Sequence, residues 1–145
     1  MASSSYYAGL IDSYNRQIKE KQKEIKKLKS EVDDLSKFLV KIKEANKLVL
    51  SLVPKFEKMS SLLEYVRVDV KPYDEGYFSD GVTDLNTCSS KFDALIELVE
   101  LEIRNKNKKI ARLNGEIKNL MRQKANAETE YNNALKAEAA ANSSN

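Results

Sequence analysis

Apolar residues recur along the first half of this chain at alternating spacings of three and four. Ile11, Ile18, Ile25, Val32, Leu39 and Val53 share one heptad position; Tyr14, Leu28, Leu35, Ile42, Val49 and Phe56 share a second. Lys21 and Asn46 are the polar exceptions. Such a narrow apolar seam on a polar helix is the pattern of a coiled coil. The helix is predicted over residues 6–66, capped by the serines of "ASSS". Pro54 lacks a backbone donor and its ring clashes with the preceding turn, so the pattern predicts a kink or break near residues 50–54.

The pattern then changes. Val66, Val68 and Val70 alternate, Pro72 interrupts, and Gly76 and Gly81 flank a turn-rich stretch, which predicts an irregular tip over 68–86 with room for a short third helix or β-ribbon. A second helix is predicted over 87–137. Ile96, Ile103, Ile110, Ile117 and Tyr131 share one seam position and Val99, Leu113, Leu120, Ala127 and Ala134 the other, with Lys106 and Lys124 as exceptions. The tail, 138–145, is expected to be disordered. The expected fold is all-α, one domain over residues 1–145, folded as a long antiparallel coiled-coil hairpin. Centring it on that tip brings Leu35 near Met121 and Val49 near Asn107.

The stretch "NKLVLSLVPKF" is too apolar for such a hairpin. Phe38, Val40, Leu48, Leu50 and Leu52 fall off the first seam, and Leu95, Leu98 and Leu101 off the second. Burying one leucine is worth roughly 1.5–3 kcal/mol, and soluble monomers rarely expose a large contiguous apolar patch. Three covers are open. Phe56 to Val66 folds back over the patch beyond Pro54, another chain packs on it, or a membrane surface meets it.

Composition narrows the function. Of 145 residues 32% are charged, with four Gly, two Pro and no Trp, as suits extended helix rather than a compact α/β domain. There is no His, and Cys88 is the only cysteine, which excludes an internal disulfide, a His/Cys metal cluster and a Cys/His nucleophile. Asp33 and Asp34 fall on a solvated helix face. No Gly-rich phosphate loop is present, so no enzyme and no cofactor are expected. The net charge of +3 does not argue for nucleic acid, and the basic run from Arg16 to Lys29 is interleaved with Glu20 and Glu24 as on an ordinary helix. No stretch has the length of a membrane span and no signal peptide opens the chain. The expected location is cytoplasmic, with any export proceeding without a cleaved signal.

The opening "SSYYAGLIDSYNRQIKEKQKEI" carries a resemblance. Ser4, Tyr6, Tyr7, Gly9, Leu10 and Ile11, leading into a Lys/Glu coiled coil, a mid-chain turn, a second helix and an Ala/Glu-rich tail, resemble the YwqH-like family. These are small WXG-type helical hairpins associated with LXG-domain toxins of the bacterial type VII secretion system. The resemblance implies a non-enzymatic targeting factor or chaperone that binds the toxin's helical N-terminal LXG domain, with or without a second small helical partner. In place of the Trp-x-Gly turn of its relatives the chain has "YFSDG", with Tyr77, Phe78 and Gly81. The aromatic-x-x-x-acid form of this system's export signal is met by Tyr65 and Asp69.

The expected partner interface is Phe38, Leu48, Leu50, Leu52, Leu95, Leu98 and Leu101, with Tyr6, Tyr7 and Leu10 docking at the far end. A rival reading is a self-assembling, prefoldin-like chaperone whose β-ribbon at Val66, Val68 and Val70 drives oligomerisation. A third is an anionic-surface binder acting through Arg16–Lys29, whose binding weakens with salt.

Overall fold

The structure, a computed structural model, describes residues 2–65 and 72–144. The protein is all-α: two long helices, α1 (Ser4–Tyr65) and α2 (Pro72–Ser143), pack antiparallel as a hairpin. The heptad pattern accounts for the pairing. In α1 an unbroken seam of buried and half-buried residues runs in three–four alternation from Ile11 to Ser60, and in α2 the same alternation runs from Val82 to Ala134.

The hairpin comprises two units. In the first (Met1–Val32 with Asn105–Asn145), Ile18, Ile25, Leu28, Leu113 and Ile117 form the core, with Ile110 and Leu120 against it. Of the three seam lysines of this unit, Lys124 pairs with Glu128 of its own helix at 3.8 Å, and the other two bridge the helices. Lys21 reaches Glu116 at 2.9 Å and Lys106 reaches Glu31 at 2.8 Å, each stem lying along the seam while the ammonium meets a flanking carboxylate. Lys109 and Glu24 pair beside them at 3.0 Å.

The same unit joins the start of α1 to the last turns of α2. The Ser3 hydroxyl accepts from the Tyr6 amide at 3.2 Å and so caps α1. The Ser4 amide and hydroxyl both donate to the Glu138 carboxylate, at 3.0 and 2.8 Å. An acid from α2 thus satisfies a free amide of the first turn of α1, where the helix dipole favours negative charge.

In the second unit (Asp33–Arg104) the buried seam residues are Ile42, Asn46, Ser89 and Val99, and the rest of the seam is half-buried. Lys43 pairs with Glu100 at 3.5 Å, and Asn46 donates to Asp93 at 3.1 Å.

Four expectations are corrected. Of the kink or break expected near residues 50–54, the break is absent, because α1 continues through Pro54 to Tyr65. Pro54 lies on the exposed face, where water reaches the carbonyl it frees, and Val49, Val53 and Phe56 carry the seam past it. Phe56 to Tyr65 therefore does not fold back, Val66 lying outside the described residues, and the apolar patch gains no cover from within the chain among the described residues. The second helix begins at Pro72 rather than 87, so most of the expected tip is helical. Proline suits a first helical position, where a missing amide costs no intrahelical hydrogen bond. Residues 138–143 are helical too, as the alanine-rich sequence and the Ser4–Glu138 bond favour.

The earlier start of α2 shifts the register. Glu31 already meets Lys106 and Asn46 meets Asp93, so Leu35 does not reach Met121, which is exposed. No strand occurs among the described residues, and Val66, Val68 and Val70 lie outside them.

Candidate helix-docking surface

In the second unit one side of the hairpin is charged and the other apolar. The Lys43–Glu100 pair and the Asn46–Asp93 bond bring one flank of each seam together. The opposite flanks therefore share the other side. On α1 that flank is the row Phe38, Ala45, Leu52 and Met59, one residue per heptad, joined by Leu48 and Leu62 three residues beyond Ala45 and Met59. On α2 it holds Cys88, Leu95 and Leu98.

Together these residues form a second seam beside the first. Phe38, Leu52, Met59, Leu62 and Leu95 are exposed, and Leu48 and Leu98 most of all, at 69% and 64%. Ala45 and Cys88 are half-buried at its floor. A helix with two apolar seams is the pattern of a bundle of three or more helices, whereas a two-stranded coil has one. Along α1 the same heptad row carries Glu24 and Glu31 in the first unit, where both are ion-paired.

The structure therefore brings together five of the sequence-predicted interface residues: Phe38, Leu48, Leu52, Leu95 and Leu98. It separates two. Leu50, seven residues from Lys43, lies on the charged flank. Leu101 lies farther around α2, where with Ala94 and Leu98 it lines a shallow depression ringed by Glu97, Glu100 and Arg104. Ala45, Met59, Leu62 and Cys88 belong to the surface and escaped the sequence reading. Their signal was heptad spacing, Ala45 and Met59 from Phe38, Leu62 from Leu48 and Cys88 from Leu95, which is visible once the first seam is set aside.

Tyr6, Tyr7 and Leu10 lie in the first unit. Tyr6 is exposed and Tyr7 and Leu10 half-buried, the two rings meeting edge to face at 5.3 Å. Asp69 and the Tyr65 side chain lie outside the described residues, and so does the expected export signal.

Electrostatics in this molecule are those of solvated pairs. The hydrogen bond from Lys106 holds the Glu31 carboxyl below its ordinary range, that from Lys21 does the same for Glu116, and the Ser4 amide does so for Glu138. The two ion pairs are part-buried between the helices, and the Ser4–Glu138 cap is exposed. Among the described residues no group of three or more Cys, Asp or Glu could hold a metal ion, and no helix is long and apolar enough to cross a membrane. No protein-family model, no curated protein and no solved structure matches the chain.

Proposed function

We propose that the protein is a non-enzymatic helical adaptor that binds a helical domain of another chain, and that this domain is the N-terminal LXG domain of a type VII secretion toxin, whose export it supports. The observation that carries the reading is the exposed second seam, Phe38 to Leu62 with Leu95 and Leu98, on a hairpin whose first seam is already filled. Leaving it wet forgoes several leucine-sized burials at roughly 1.5–3 kcal/mol each. The toxin as partner rests on the opening Ser4, Tyr6, Tyr7, Gly9, Leu10 and Ile11.

The test is to tag the C-terminus, purify the protein from its host without detergent, and identify by mass spectrometry what accompanies it in stoichiometric amount. One larger chain with a helical N-terminal domain supports the adaptor reading, and an LXG domain in that chain names its class. A clean homo-oligomer with no companion overturns the reading in favour of a self-assembling chaperone.

A further inference from the structure

The second seam is interrupted, and the interruptions share one sign. Along α1 its two non-apolar positions are Lys41 and Lys55, and along α2 the position between Cys88 and Leu95 is Lys91. All three are exposed, and none is paired with an acid among the described residues. Lys43, on the opposite side, has Glu100. The acids of the α2 row, Asp84 and Glu102, fall at its two ends rather than among the leucines.

The distribution bears on what covers the seam. Two copies of this chain meeting through it, patch against patch as two-fold symmetry requires, bring six exposed lysines and no acid from among the leucines into one contact. Like charges brought together at the edge of an apolar contact oppose association. A helix whose apolar stripe is bordered by Asp and Glu meets no such opposition and gives the three lysines partners.

We propose that this side of the second unit binds an amphipathic helix of another chain, its apolar heptad stripe bordered by acidic residues, laid along Phe38–Leu62 and against Leu95 and Leu98. The span of α1 involved corresponds to about seven helical turns. The proposal rests on the adaptor reading and adds to it which side is used and what charge the partner carries there.

The experiment is site-specific photocrosslinking of the full chain in its host. Benzoylphenylalanine replaces, one at a time, Leu48, Leu52 or Leu95 on the proposed side, and Leu50 or Leu101 off it; adducts are mapped by mass spectrometry. The expected result is adducts from Leu48, Leu52 and Leu95 into one acid-bordered helical segment of a single partner, at least fivefold stronger than from Leu50 or Leu101. In parallel, the Lys41→Glu, Lys55→Glu, Lys91→Glu triple variant should keep wild-type helicity and lose at least tenfold in recovery of that partner.

A partner captured mainly through Leu50 or Leu101, one whose mapped segment lacks acidic borders, or undiminished recovery by the triple variant overturns this proposal and leaves the adaptor reading standing. Adducts solely between copies of this chain, or none at any position, overturn both.

Discussion

Asn46, buried between the two helices, donates its Nδ2 to Asp93 Oδ1 at 3.1 Å, while its own buried Oδ1 finds no hydrogen-bond partner among the described residues. An apolar residue at that seam position would bury more surface and strand no acceptor. Polar seam residues are the devices by which coiled coils hold register at a cost in stability. Asn46→Leu should therefore stabilise the hairpin by roughly 1–3 kcal/mol in urea denaturation. Asp93→Ala, which leaves both ends of the amide wanting, should destabilise it by about 1–2 kcal/mol.

Two helical glycines should respond in opposite directions to the same change. A Cβ at Gly81 falls 2.5 Å from Cε2 of Phe56, whereas one at Gly115 meets nothing within 4 Å. Helix propensity favours alanine at both by about 1 kcal/mol. Thermal melts should show Gly115→Ala raising the midpoint. Gly81→Ala should lower it, because the ring must leave the seam, an overpacking cost of about 1–3 kcal/mol.

Pro54 should weaken the helix it interrupts. Pro54→Ala restores the amide facing the Leu50 carbonyl on an exposed face of α1. The gain should be up to about 3 kcal/mol, seen as a raised urea midpoint with added helical ellipticity. An unchanged midpoint would mean that the turn before Pro54 already satisfies its carbonyls.

Acid should loosen the first unit. Glu31 and Glu116 are held below the ordinary carboxylate value of 4.5 by Lys106 and Lys21. Stability from a lowered carboxyl is fully present above that ordinary value and is lost as pH falls through the lowered one. Melting temperature should drop as pH is taken below 4.5, and less so at high salt, since both pairs, though part-buried, stay in contact with water. The double variant Glu31→Gln, Glu116→Gln should start lower at pH 7 and show a flatter acid limb.

At the docking surface, Leu48→Glu with Leu98→Glu should leave helicity and melting temperature nearly unchanged, because both side chains are mostly in water. The same pair should abolish recovery of the partner. A complex that survives both charges places the interface elsewhere on the molecule.

The seam was legible because a heptad is a local signal: Ile18, Ile25, Leu113 and Ile117 declare their burial by spacing alone. Register was not, because it depends on where α2 begins. Pro72 looked like a terminator and serves as a first residue, which moved every cross-hairpin partner. Pro54 misled for the related reason that an exposed proline is tolerated where a strong seam continues on the buried face. The apolar excess was visible, yet sorting its members into sides needed cross-links such as Lys43–Glu100 to say which flanks face together. Leu50 could not be told from Leu52 until then.

The bond from Ser4 to Glu138 has a topological corollary. Because the start of α1 already touches the last turns of α2, a short linker between those two places closes the hairpin into a ring with little rearrangement. Reopening that ring between the helices yields a circular permutant in which α2 precedes α1. The order of the two helices along the chain is thus open to reversal, and a donor–acceptor dye pair placed beside Ser4 and Glu138 becomes a direct gauge of whether the hairpin is shut.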